Sequence, residues 1–206
     1  MIVFRYSKTD GVEYIPHLDM LRHLNKIMRR GKIPMGYSKG YNPHMHIYMS
    51  SPIAVGLKSQ SEYCCIESDE VASEFIKKFN ASTFKGCSCL NAVNVPKKVS
   101  VAGLINRAKY AIYGLNKFDV SEILSLTELM VENKRGDVQD CRNKIFDLNF
   151  EGEVLYATLG FGNDTLRADF FAKELKHRFG GSKIQIVKVE CFVNETPFDN
   201  YLANLK

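Results

Sequence analysis

The sequence predicts an α+β protein made of two ferredoxin-like lobes, each a split β-α-β-β-α-β unit with an antiparallel sheet. Three observations predict it. Short runs of alternating apolar and polar residues recur along the chain, separated by stretches whose apolar residues fall at helical spacing. The same order of such runs occurs twice. Between the two series lies a stretch, 99–107, without strong periodicity. With 206 residues, 45% of them hydrophobic and 25% charged, the chain has material for a substantial core.

The first series occupies residues 1–98. A strand over 2–7 leads to Thr9-Asp10-Gly11, a tight-turn signal, and to a second short extended run, Val12–Ile15. A helix follows from about Asp19 to Arg30, with Asp19 available as its cap, Leu18, Leu21, Leu24, Ile27 and Met28 on one face, and Gly31 as its end. After a long loop come strands 46–51 and 61–67, with Pro52 and Gly56 between them. A helix over 71–80 has Val71, Phe75 and Phe79 in line, and strand 90–95 stops at Pro96.

The second series occupies residues 108–195. Strand 108–114 is followed by a short helix near 119–126 and by strand 128–134. Strand 144–150, with Phe146, Leu148 and Phe150 assigned to one face, turns at Glu151-Gly152-Glu153 into strand 154–161, where Leu155, Ala157, Leu159 and Phe161 alternate. A helix over 166–179 ends at Gly180-Gly181, and strand 183–192 closes the unit. Residues 196–206 read as a tail. No residue-level repeat accompanies the repeated order.

Several function classes are excluded by what is missing. The apolar runs are short and broken by charge, so no membrane span is predicted. The N-terminal Met1-Ile2-Val3-Phe4-Arg5-Tyr6 reads as a strand rather than a signal peptide, which points to the cytoplasm. Six scattered cysteines in a chain of this size agree with that, as small buried hydrophobes rather than disulfides. Cys87-Ser88-Cys89 lacks the two-residue gap of common zinc and redox sites. There is no phosphate-binding loop, no dinucleotide-binding glycine fingerprint, no nucleophile elbow and no cysteine triplet for an iron–sulfur cluster. No cofactor is predicted.

Charge is distributed unevenly. Residues 1–100 carry 14 Lys and Arg against 8 Asp and Glu, whereas residues 101–206 carry 14 against 15. From Met20 to Ser61 there is no acidic residue, and that window holds Arg22, Lys26, Arg29, Arg30, Lys32, Lys39 and Lys58 with His23, His44 and His46. Such a field suits an anionic partner, nucleic acid first, although a plain solvated helix face has the same composition. The loop from Gly31 to Met45 is long for a compact domain, which suggests function. Tyr37 and Tyr41 offer flat faces for bases; Ser38, Asn42 and His44 offer hydrogen bonds; Lys39 offers charge; Gly36 and Gly40 permit sharp turns or close approach. With His46 and the basic helix residues, these form the predicted RNA- or partner-binding set. His17, Asp19 and His44 are the catalytic candidates, His17 as a proton carrier oriented by Asp19. His44 and His46 would point the same way along a strand, but no neighbouring carboxylate completes a metal site with His17, and none is assigned.

An ordered set of residues resembles a known family. Ser7-Lys8, Pro16-His17-Leu18-Asp19, Arg29-Arg30 with Ile33-Pro34, and Tyr37-Ser38-x-Gly40-Tyr41-Asn42-Pro43-His44 lead into Pro52-x-x-x-Gly56 and Ser61-Glu62-Tyr63. This resembles the radical-SAM-linked or radical-SAM-associated domain of unknown function 2344, densely over residues 1–67 and diffusely to about 195. The family usually has Ser at the position of Pro16, Phe at that of Tyr41 and often Pro at that of Met45. The resemblance implies association with a radical SAM enzyme, either fused or encoded as a separate chain. This chain would be the stand-alone form. Genes for an RNA-processing ribonuclease and ribosomal proteins are common neighbours, and no catalytic residues are established.

Three functions follow as expectations. The first is an accessory protein that binds RNA (tRNA or rRNA), docks with a separate radical SAM protein, or does both. The second is a metal-independent RNA-cleaving or RNA-modifying enzyme using His17 and His44. The third is a protein–protein adaptor whose basic face is incidental.

Overall fold

A computed structural model describes residues 1–205. In the first half, β1 (Ile2–Lys8) leads to α1 (His17–Arg30), β2 (Ile47–Met49), β3 (Lys58–Ile66), α2 (Ala72–Ser82) and β4 (Cys89–Asn94). In the second, α3 (Val101–Leu104) precedes β5 (Arg107–Leu115), α4 (Ser121–Leu124), β6 (Met130–Glu132), β7 (Val138–Asp140), β8 (Ile145–Glu151), β9 (Val154–Gly160), α5 (Ala168–Phe179) and β10 (Gly181–Val193). The chain then forms β11 (Thr196–Pro197) and α6 (Phe198–Ala203). The protein is α+β, as the alternating patterns predict.

The strands join into one nine-stranded sheet in the order β4-β1-β3-β10-β5-β9-β8, with β2 added on β3 and β11 on β10. With the β6-β7 hairpin and β11 set aside, the strands of each half follow the order fourth, first, third, second, as in a split β-α-β unit. Every pairing in this sheet is antiparallel except β3 with β10, where Lys58 meets Val187 and Ser59 meets Lys188. That parallel contact is the seam between the halves. It lies at the start of β3, whereas β2 occupies the end of the same edge, opposite Cys64 to Ile66.

The sheet's alternation explains where the core sits. Ile2, Phe4 and Tyr6 of β1 point into a cluster with Met20, Leu24, Ile27 and Met28 of α1 and Phe75 and Phe79 of α2. Phe4 lies 5.0 Å from Phe75 and 5.5 Å from Phe79, centroid to centroid. Val3, Tyr63 and Cys65 point the other way, into a cluster that continues through the second half. Tyr63 and Phe198 of α6 meet edge to face there at 4.8 Å.

Several local expectations are corrected. Val12–Tyr14 is one turn of 3-10 helix rather than a strand. Pro16, not Asp19, is the N-cap of α1; Asp19 sits inside the first turn and bonds Arg22 at 2.6 Å. Because α1 starts at His17, its inner line is Met20-Leu24-Ile27-Met28, and Leu18 is left in solvent on the line of Arg22 and Lys26. Gly31 follows the helix with ordinary right-handed torsions, and Lys32 takes the positive φ of 49°. Glycine at 31 lets α2 approach closely: a Cβ there would lie 3.0 Å from Ser82 Oγ and 3.2 Å from the Lys78 carbonyl.

Val71 caps α2 and is exposed. In β8, a register shift after Ile145 turns Phe146 outward, where the Arg107 guanidinium covers its ring at 3.7 Å. The aperiodic stretch contains α3, whose Val101 is buried, and β6 pairs with an unforeseen β7. The segment read as a tail carries β11 and α6. There Asp199 accepts from Arg5 Nη1 at 3.0 Å and from the Tyr63 hydroxyl at 2.9 Å. Lys206, the last residue of that segment, lies outside the described residues.

Candidate functional site

The solvent face of α1 is set by its register. With one line buried, Leu18, Arg22, Lys26, Arg29 and Arg30 fall at spacings of three and four on the outside, all exposed. Arg29 and Arg30 are also the basic residues of the last turn, where they face the negative end of the helix dipole. Lys32 follows directly, exposed.

The loop after α1 is a built structure. Ile33 is buried, and Met35 and Met45 pack partly against the first core, so both limbs are fixed at the base. Tyr37 and Met45 form a bridge, Ser38 N–H donates to the His44 carbonyl at 2.9 Å, and His44 N–H donates to Ser38 Oγ at 2.9 Å. The loop is tied to the end of β3 by Gly36 N–H to the Glu67 carbonyl at 2.8 Å and by Glu67 N–H to the His46 carbonyl at 3.3 Å. His46 N–H in turn donates to the Gly36 carbonyl, and the His46 ring contacts the Glu67 carboxylate. Gly36 permits this approach, since a Cβ would lie 2.5 Å from the Glu67 side chain. Lys39, Gly40, Tyr41, Asn42 and Pro43 form the tip, and the Tyr41 side chain is fully exposed.

The structure extends this surface beyond the predicted set. His46 and Tyr48 lie on one side of the extended chain with rings nearly parallel at 6.0 Å, and Lys98 Nζ stands 3.4 Å over the Tyr48 ring. Tyr48 could have been found from its two-residue spacing to His46. Lys98 could not, because it arrives from beyond β4. His23 turns away from this surface, its ring edge against Phe84 at 5.1 Å.

The catalytic candidates do not come together. His17 opens α1, whereas His44 belongs to the loop that leaves its other end; 14 helical residues span about 20 Å. The anchors say the same. His17 lines a recess with Tyr6, Lys8, Met49, Pro52 and Glu62, while the loop is pinned at Glu67, five strand residues or about 17 Å beyond Glu62. Asp19 is engaged with Arg22. No acid–base pair of His17 and His44 is formed. Among the described residues no group of three or more His, Cys, Asp or Glu could hold a metal ion.

The recess beside His17 borders a feature that the sequence does not announce. Lys8, Glu13, Glu62 and Lys188 are all buried at the seam. Lys8 Nζ donates to the Ile15 carbonyl at 2.7 Å, and Glu13 accepts from the Gly11 N–H at 2.7 Å. Lys188 Nζ stands 2.6 Å from Glu62 Oε1 and 4.5 Å from the Phe161 ring centre. The Lys188–Glu62 approach is poorly aligned for a hydrogen bond, so attraction between the two charges is the main link between them. Burial pulls the Lys8 ammonium below its ordinary value, helped by Lys188 and opposed by Glu62 and Glu13. The recess itself, about 10 Å³, has room for one water.

Above the seam is a larger cleft of about 540 Å³, bounded by Glu13 and Tyr14, by the Gly56–Lys58 entry to β3, by α5 and by the first half of β10. The six cysteines are buried and unpaired, and burial pushes the Cys87 thiol up to about 11 and the Cys89 thiol up to about 12. That suits packing rather than redox chemistry. No described helix is long and apolar enough to cross a membrane.

No curated protein matches the chain. A bacterial family described as uncharacterized protein conserved in bacteria (DUF2344) matches residues 1–168. That span takes in β1, α1, the anchored loop and both carboxylates of the seam, Glu13 and Glu62, and it makes the chain a member of the DUF2344 family.

Proposed function

We propose that this chain binds RNA (tRNA or rRNA) through the C-terminal end of α1 and the 36–46 loop, as the accessory of a separate radical SAM protein. The observation that carries the reading is Tyr41. Its ring is fully exposed at the tip of an anchored loop, between Lys39 and His44 in sequence, and that loop leaves α1 directly after Arg29, Arg30 and Lys32. A tyrosine held away from the protein has a free face for a base, and base stacking contributes about 1–3 kcal/mol. The surrounding cations supply the phosphate contacts that position an RNA strand without reading its sequence. Glu67 is a carboxylate at the base of the loop, and His46 engages it.

Within this reading, Arg29, Arg30, Lys32, Tyr37, Ser38, Lys39, Gly40, Tyr41, Asn42, His44 and His46 act together at one end of α1. Arg22 and Lys26 extend the track toward the other. Docking with a radical SAM protein rests on the family resemblance, and the six free thiols favour a reducing, cytoplasmic setting.

The experiment is a titration of labelled single-stranded RNA at several salt concentrations. For every phosphate that is no longer neutralised, the slope of log K against log salt should become shallower by about 0.7. Replacing Arg22, Arg29 and Arg30 together by Ala should lower both affinity and slope. Unchanged values for both would end the RNA reading. A tagged chain that recovers no cluster-bearing protein from its native cells would remove the radical SAM half.

A further inference from the structure

We propose that the cleft above the seam is a second binding site, for a small phosphate ester of nucleotide size. Its volume, about 540 Å³, is in the range of small-molecule sites. Four lysines from three parts of the fold line it: Lys58 at the start of β3, Lys173 and Lys176 on α5, and Lys183 on β10. This site does not depend on the RNA reading. It stands at the end of β3 opposite the anchored loop, and three of its lysines come from the half of the chain whose net charge is −1.

The cleft's own carboxylates do not neutralise these lysines. Glu13 is buried and accepts from the Gly11 N–H, with Lys8 behind it. Asp169 is held by Arg167 through two bonds, at 3.0 and 2.5 Å. Lys173 reaches Glu132 only at 3.6 Å, and Lys176 donates to the Ser182 carbonyl at 2.7 Å. Among the described residues, Lys58 and Lys183 have no carboxylate within 4.0 Å. Two ammonium groups without carboxylate partners on the wall of one cavity give it a positive potential that an anion between them would meet.

The floor adds direction. The β3 ladder ends at Lys58 and Val187, so that edge of β10 carries no strand before Val187. Free main-chain N–H groups on an open edge are donors for phosphate oxygens. Exposed Tyr14 at the rim offers a face for a ring, and Leu57, Ile184 and Ile186 supply apolar wall. Ammonium groups and flat apolar surface side by side in one cleft match a nucleotide better than a bare anion.

Calorimetry on the full chain with pyrophosphate, ADP and adenosine tests this. ADP and pyrophosphate should bind with saturation and adenosine should not. Lys58→Ala with Lys183→Ala should weaken ADP by about tenfold or more. Both residues are exposed, so Tm should hold, and Tyr41→Ala should leave ADP binding unchanged. To separate a free nucleotide from an RNA end, a 5′-phosphorylated oligonucleotide is compared with its 5′-hydroxyl form. A preference for the phosphorylated end that the double variant abolishes, with ADP weak, would assign the phosphate to RNA and retain the site. Absence of binding for both ADP and the phosphorylated end would overturn it. So would ADP binding indifferent to the two lysines, or a glutamate-rich peptide occupying the cleft in preference to ADP.

Discussion

Tyr41 and Gly36 show how differently two residues of one loop can be constrained. Tyr41 touches nothing that folding needs, so Tyr41→Ala should leave Tm unchanged while weakening RNA binding by about 1–3 kcal/mol. Gly36→Ala should act the other way. Its Cβ meets the Glu67 side chain at 2.5 Å, and turning that exposed carboxylate away from His46 should loosen the loop's anchor at a cost of about 1 kcal/mol or less, read by urea unfolding. The residue types in this loop were legible in the sequence, and so was their grouping. The partners were not. Glu67, Tyr48 and Lys98 reach the surface only because β2 lies on β3 and the chain returns after β4. The catalytic pairing of His17 with His44 fails for a related reason: nearness in sequence across one helix becomes separation by the helix's full length.

At the scale of single elements, phase was the weak point. The start of α1 two residues early exchanges Leu18 for Met20 in the core, and a register shift in β8 exchanges Phe146 for solvent. Interior strands were easier to read. β9 shows Leu155, Ala157 and Leu159 in strict alternation, all buried. The thiols at and before the start of β4 carry a pH prediction. In the unfolded chain Cys87 and Cys89 lose their protons near 9, whereas in the fold they hold them to about 11 and about 12. Below 9 both states are protonated and nothing is lost. As pH rises from 9 toward 12, the unfolded state releases protons that the native state retains, so stability falls. Urea midpoints at pH 8 and pH 10.5 should show this decline, and Cys87→Ala with Cys89→Ala should make it shallower, the four other thiols that burial pushes up supplying the rest.

For the whole molecule, the decisive feature is the seam. The α+β alternation could be read along the chain, but the joining of its strands into one large sheet could not. A two-rung parallel contact between residues 129 positions apart leaves no local signal. Lys188 should be the sensitive position. Lys188→Ala strands the Glu62 carboxylate in the interior and should cost about 3–5 kcal/mol, whereas Lys188→Met with Glu62→Gln should recover much of it. Because the seam, the shared core and the bonds from Asp199 to Arg5 and Tyr63 join both halves, thermal unfolding should be a single transition with equal calorimetric and van't Hoff enthalpies. Two resolved transitions would show that the halves are energetically separate.

The buried ion pair also imposes an order on synthesis. A ribosome delivers Lys8 and Glu62 long before it reaches Lys188. At about 5–20 residues per second, the N-terminal half waits on the order of ten seconds with Glu62 lacking its Lys188 partner. Until that counter-ion arrives, the margin around Glu62 stays hydrated and open, and the nascent chain offers a strand edge to any passing neighbour.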